Sequence, residues 1–165
     1  MYREPKLISH RGNTSGAHTP EFENRPDCID YALKTYECEV DLWVIDNFFY
    51  LGHDKPQYKV DYRWLDERAT KLWIHCKNMP AFKFCRPTPW HYFWHDTDQY
   101  TLTSKNIIWS YPTALAIPDA IIAVPESFHG IQGTIQLLKT TGILGICTDH
   151  PQTYKAMLDP DFKIP

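Results

Sequence analysis

The sequence has no excess of basic charge. Lys and Arg total 17 against 20 Asp and Glu, a formal net charge of −3 with His neutral. A protein that neutralises phosphates along a duplex needs the opposite balance, so no general nucleic-acid partner is expected. Long apolar runs are missing too. The longest apolar stretch, around 107–124, is broken by Pro112, Pro118 and Asp119, which argues against an integral membrane segment. Residues 1–6 are polar and the apolar run behind them stops at Ile8, so no secretory leader is expected. Cysteines are few and unpaired. Cys28, Cys38, Cys76, Cys85 and Cys147 are odd in number and contain no C-x-x-C. A disulfide framework or structural zinc site is therefore disfavoured, and a reducing, cytoplasmic setting is the expectation. No internal repeat or low-complexity tract is present. With 22% charged and 43% hydrophobic residues, the composition excludes intrinsic disorder.

Aromatic residues, by contrast, are abundant at 15%, among them 6 Trp and 10 Tyr. They imply heavy packing or a pocket lined with rings. A chain of 165 residues is expected to form one domain, 1–165.

Short apolar strands are expected at 7–11, 37–44, 72–77, 92–95, 100–103, 107–109, 120–124 and 144–147. Helices are expected at 26–35, 62–70, 80–85, 130–140 and 151–158. Pro26 suits a first helical turn, where its missing N–H costs nothing. Strands interspersed with helices predict an α/β fold on a parallel sheet or barrel. A (β/α)8 barrel typically needs about 250 residues. The segment from Tyr92 to Trp109 leaves no room for helices. The expected architecture is thus a compact (β/α)8 barrel with some outer helices missing. Apolar surface on that helix-poor side would suit burial against a second copy.

The most informative segment is Glu37-Cys38-Glu39-Val40-Asp41-Leu42-Trp43-Val44. Strand residues two apart share a face. Cys38, Val40, Leu42 and Val44 form an apolar face, and Glu37, Glu39, Asp41 and Trp43 the other. Glu39 and Asp41 would stand about 6–7 Å apart at Cα. If enclosed, two such carboxylates repel, so one takes a proton or a cation sits between them. All-oxygen ligands suit Mg²⁺ or Ca²⁺. A half-buried strand with one wet face shows the same alternation, so both readings stay open. The run 72–77 repeats the pattern, with Leu72, Ile74 and Cys76 opposite Trp73, His75 and Lys77.

Two histidine motifs accompany these strands. In Ser9-His10-Arg11-Gly12-Asn13, His10 is suited to proton transfer near neutral pH, and Arg11 offers a planar fork for phosphate or carboxylate. Leu51-Gly52-His53-Asp54 follows the acidic strand after a turn at Asp46-Asn47. Two histidines, an arginine, two acids and a lysine make a coherent set for phosphoryl chemistry. One imidazole takes a proton from the nucleophile and the other protonates the leaving oxygen. His18, His91, His95, His129 and His150 show no metal-ligand spacing and are expected to be structural or superficial, with His95-Asp96 and His150 beside Asp149 the exceptions to examine. Trp90, Trp94, Trp109 and Tyr111 are expected in the core.

Taken together and in order, His10-Arg11-Gly12, Glu23-Asn24, Glu39-Val40-Asp41 and Gly52-His53-Asp54 resemble the glycerophosphodiester phosphodiesterase family of phospholipase C-like barrels. Weaker matches are Ile74-His75-Cys76-Lys77 and Gly145-Ile146-Cys147-Thr148-Asp149. The stretch from Asn78 to Gly142 shows no alignable motif. The resemblance implies a TIM-type barrel with its site at the C-terminal strand ends, hydrolysing a glycerophosphodiester to glycerol phosphate and an alcohol. It implies His10 and His53 as the acid–base pair and Arg11 and Lys77 as phosphate ligands. Glu39 and Asp41 would be metal ligands, with Glu23 and Asn24 in support. Where the family places a glutamate as third metal ligand, this chain has His75. That substitution removes one negative charge and makes Mn²⁺ or Zn²⁺ more plausible relative to Mg²⁺ or Ca²⁺. A non-catalytic phosphate-ester-binding protein is the alternative that His75 and the missing helices raise.

Overall fold

A computed structural model describes residues 4–16 and 19–159. His18 and the ends of the 1–165 domain span lie outside the described residues. In chain order the elements are β1 (Lys6–His10), α1 (Pro26–Ala32), β2 (Glu37–Ile45), β3 (Phe48–Leu51), β4 (Tyr58–Val60), α2 (Tyr62–Arg68) and β5 (Leu72–Cys76). They continue with α3 (Met79–Cys85), β6 (Tyr92–Phe93), β7 (Tyr100–Leu102), β8 (Ile108–Ser110), β9 (Ala120–Ala123), α4 (Glu126–Thr140), β10 (Gly145–Thr148) and α5 (Pro151–Leu158).

Local chemistry sets the boundaries. Asp61 caps α2 by accepting the Trp64 N–H at 2.7 Å. Asn78 caps α3 by accepting from Ala81 at 3.0 Å, and its amide donates to the Val44 carbonyl at 2.9 Å. One side chain thereby ties the start of α3 to the end of β2. α1, α3 and α5 each carry a proline in the first turn. Asp46 and Asn47 both take positive φ, 50° and 65°, which turns β2 sharply into β3.

The ten strands form one mixed sheet. Parallel pairings give the run β6-β5-β2-β1-β10-β9-β8. β3 and β4 add antiparallel strands beside β2, and β7 pairs antiparallel with β8. The sheet curls into a half-barrel, bringing Phe93 of β6 onto Trp109 of β8 with ring centroids 4.5 Å apart. The expectation of a compact (β/α)8 barrel is therefore overturned. The sheet is mixed, and helices do not alternate with strands. Five residues separate β7 from β8, too few for the crossover of a dozen or more residues that a parallel pair requires. β3 and β4 are further strands outside any βα alternation, and no helix lies between α3 and α4.

Side-chain alternation sorts the sheet into two faces. Cys38, Val40, Leu42, Leu72, Ile74 and Cys76 point outward into one apolar cluster with Ile29 of α1, Leu65 of α2 and Ala81 of α3. Ile122 and Ile146 pack outward against Ile135 and Leu138 of α4 and Tyr154 of α5. Inside the curl, Ile8, Trp73, Phe93, Trp109, Ile121 and Cys147 form a separate apolar floor. β10 and β1 approach so closely that a Cβ at Gly145 would sit 2.2 Å from the Lys6 carbonyl oxygen, so only glycine fits there. No helix among the described residues is long and apolar enough to cross a membrane.

Candidate functional site

The parallel strands deliver their C-terminal ends to one rim above the apolar floor. The rim encloses a cleft of about 480 Å³ lined by His10, Arg11, Glu39, His53, His75 and Lys77, with His95, Asp96, Tyr111 and Val124 also in its wall. Among the sequence-derived site residues, Asp41, Glu23 and Asn24 lie behind this lining and bond to it.

The acidic strand turns its carboxylates inward. Glu39 is 3% exposed and Asp41 fully buried. Asp41 is clasped by Asn24 twice: its Oδ2 accepts the Asn24 amide at 2.9 Å, and its backbone N–H donates to Asn24 Oδ1 at 2.9 Å. Arg11 takes positive φ, 54°, directly after β1. Its guanidinium meets Asp41 Oδ2 at 3.2 Å and Glu23 Oε2 at 2.8 Å. His75 Nδ1 lies 3.1 Å from Asp41 Oδ1, and Lys77 Nζ 3.5 Å from the same oxygen. Burial alone would raise the Asp41 pKa, but His75, Arg11 and Lys77 hold its carboxyl well below the usual range. Glu39 goes the other way, because burial and the Asp41 charge push it up.

His75 Nε2 sits 2.8 Å from the His95 carbonyl oxygen, which can only accept, so this nitrogen carries a proton. Nδ1 is thereby left to face the two acids, either as a second N–H or as a free lone pair. Glu39, Asp41 and His75 each offer a ligand atom within 4.8 Å of the others. Glu39 Oε2 and Asp41 Oδ1 are buried without a hydrogen bond. His75 Nδ1 and Lys77 Nζ are close to Asp41 Oδ1, but neither is aligned to bond it. Two orphaned carboxylate oxygens beside an imidazole lone pair fit a divalent cation.

His10 Nδ1 bonds Asp149 Oδ1 at 2.7 Å, and Asn13 donates to the same oxygen at 2.6 Å. Burial and Arg11 oppose charge on His10, but the Asp149 bond and the Glu39 charge outweigh them and raise its pKa. Burial and the nearby Arg11 and Lys77 lower that of His53, despite its 2.6 Å contact with Asp54. The cleft therefore holds two imidazoles with affinities for the proton displaced in opposite directions.

All the expected site residues thus reach one cleft or bond directly to its lining. Sequence reasoning missed the partnership of Asp149 with His10, and the part played by Asn13. The signal available was position: Asp149 directly follows a strand. His95 was expected to be structural or superficial, yet it lines the cleft and its carbonyl fixes His75. Trp109 is core at 3% exposure while also bordering the cleft, whereas Tyr111 stands at the rim, 46% exposed. No family model, no curated protein and no solved structure matches this chain.

Proposed function

We propose that the cleft cleaves a phosphodiester, a small glycerophosphodiester being the favoured substrate class, by acid–base catalysis from two histidines. The observation that carries this reading is the buried Glu39–Asp41 pair, flanked by Arg11 and Lys77 and sharing one cleft with His10 and His53. Arg11 and Lys77 supply positive charge for phosphate oxygens. Glu39, Asp41 and His75 would hold a divalent cation, which when bound adds Lewis-acid stabilisation of phosphate charge.

The opposed histidine shifts assign the roles. His53, lowered, is neutral and takes a proton from the attacking water. Its oxygen forms the new bond to phosphorus as the bond to the alcohol oxygen breaks. His10, raised, holds a proton and delivers it from Nε2 to the departing oxygen, its Nδ1 being committed to Asp149. Activity is then lost at low pH as His53 protonates, and at high pH as His10 deprotonates. Asp149→Asn removes the hydrogen-bonded anion that does most to raise His10, leaving burial and Arg11 opposed by the Glu39 charge alone. The alkaline limb of kcat/KM should move to lower pH with the acid limb unchanged. An alkaline limb that stays in place in this variant would refute the assignment.

The direct test strips metal from the protein and adds back Mg²⁺, Ca²⁺, Mn²⁺ or Zn²⁺ on glycerophosphocholine and a chromogenic diester. Because His75 replaces a carboxylate with imidazole, Mn²⁺ or Zn²⁺ should restore more turnover than Mg²⁺ or Ca²⁺. No turnover with any ion, from protein that remains folded, counts against catalysis. It would favour a non-catalytic phosphate-ester-binding protein. That second reading draws support from His53, which is 39% exposed and, among the described residues, bonded only to the exposed Asp54.

A further inference from the structure

Glu126 is the first residue of α4, on the far side of β10 from the cleft's acids. Its Oε1 accepts two hydrogen bonds, from the Thr148 hydroxyl at 2.6 Å and from the Asp149 backbone N–H at 3.0 Å. Thr148 is fully buried and Asp149 is 8% exposed. A carboxylate from a neighbouring element thus grips the backbone of the residue that holds His10. Asn13 fixes the Asp149 side chain from the other direction.

The connection that delivers Glu126 is strained. Val124 sits at φ 42°, although it is β-branched and precedes Pro125. Both features disfavour that region. The conformation is held by the Val124 N–H, which donates to the Cys147 carbonyl at 2.6 Å, and by the Val124 carbonyl, which accepts from Ser127 at 3.1 Å. The strained turn therefore draws the β9–α4 connection onto the end of β10, and Glu126 enters α4 where it meets Asp149. Strain of this kind persists only where surrounding contacts over-determine it.

We infer that Glu126 is a positioning residue: by gripping the Asp149 backbone through the strained Val124 turn, it holds the Asp149 carboxylate against His10 Nδ1 and fixes the His10 tautomer. Its importance for turnover rests on the phosphodiesterase reading, but the tautomer is measurable without any substrate. A neutral imidazole carries its proton on Nδ1 only where an acceptor is held there; otherwise both tautomers are populated.

The experiment reads the His10 ring nitrogens by long-range ¹H–¹⁵N NMR, on folded protein at a pH where His10 is neutral. His10→Gln assigns the signals. The native protein should show the Nδ1–H form dominant. Glu126→Gln keeps a carbonyl acceptor at the same place and should preserve it. Glu126→Ala loses both bonds and should produce a mixture of tautomers. A folded Glu126→Ala protein with the native tautomer overturns the proposal. So does a Glu126→Gln protein that behaves like the alanine variant, because charge rather than placement would then be at work. A native protein without the Nδ1–H form overturns it too. If Glu126→Ala does not fold, Thr148→Val decides. It removes one of the two bonds to Glu126 together with the acceptor for the His150 N–H, whereas Thr148→Ser keeps both, so a partial shift in the valine variant that the serine variant lacks supports the proposal and an unchanged tautomer in the valine variant refutes it. None of these outcomes depends on the phosphodiesterase assay, so failure of either idea is visible separately.

Discussion

His10→Ala should lower phosphodiester turnover by about 10²- to 10⁴-fold, the range for losing a positioned general acid. The protein should remain folded, because His10 is only partly buried and its loss opens a site already facing the cleft. Phosphate-ester binding should persist, since Arg11, Lys77 and the acidic pair keep their mutual contacts without His10. The measurement is steady-state kinetics beside equilibrium binding of a slowly cleaved diester. A loss confined to kcat places His10 in the chemical step, whereas equal loss of binding and rate would make it a ligand contact. His53→Ala should cost a similar amount. The double variant should lose far less than the product of the two, because an acid and a base acting in one event are not independent. Turnover within threefold of the native protein in His10→Ala would remove it from the mechanism.

What the sequence made legible is what period-two alternation controls. β2 and β5 each place alternate residues on opposite faces whatever strand lies beside them. That Glu39 and Asp41 share one face, that Trp73, His75 and Lys77 share another, and that each lies opposite an apolar set therefore follows from the residues alone; that these faces line the inside of the curl follows only from the sheet. Strand direction is a different matter. Tyr100–Leu102 reads as a strand equally well in either orientation, and only the five-residue link to β8 forces an antiparallel pair. The same holds for β3, whose antiparallel pairing with β2 follows from the positive φ at Asp46 and Asn47, and for β4, which the short link 52–57 returns along β3. A barrel inferred by counting strands fails where short links turn them into hairpins.

Long-range partners were hidden for a related reason. Asp149 lies 139 residues from His10 and reaches it only because β10 pairs in parallel with β1. The same pairing makes Asp149 follow β10 on the rim where His10 ends β1. Arg11 could be recognised as a phosphate-type cation, but its use as a bridge between Glu23 and Asp41 depends on the left-handed turn after β1. The His95 carbonyl that sets the His75 proton is a backbone group, which no residue identity announces.

Asp41 carries the largest expected effect on stability. It is the shared counter-ion of Arg11 at 3.2 Å and Lys77 at 3.5 Å, its Oδ1 lies 3.1 Å from His75 Nδ1, and it is clasped twice by Asn24. Asp41→Ala leaves that buried positive charge uncompensated and should cost about 3–5 kcal/mol. Asp41→Asn preserves the acceptor for Asn24 and should fall between. The pH dependence has a definite sign. The folded pKa of Asp41 is depressed, so its stabilisation is present above the unfolded value of about 3.9 and lost as pH falls through the depressed folded value. Glu39, raised, acts in the opposite sense, its contribution being lost as pH rises through its folded value. Urea unfolding of native and variant protein across the acid range reads both, because Asp41→Ala loses the Asp41 contribution and leaves Glu39 raised by burial without the Asp41 charge. A divalent ion at a hundred times its dissociation constant should add about 2.7 kcal/mol to the native protein and little to Asp41→Ala, if these acids hold it. Unfolding free energies of native and Asp41→Ala protein within 1 kcal/mol of each other near neutral pH would mean that Arg11, His75 and Lys77 find water or other acids instead, and the buried carboxylate would lose its place at the centre of the site.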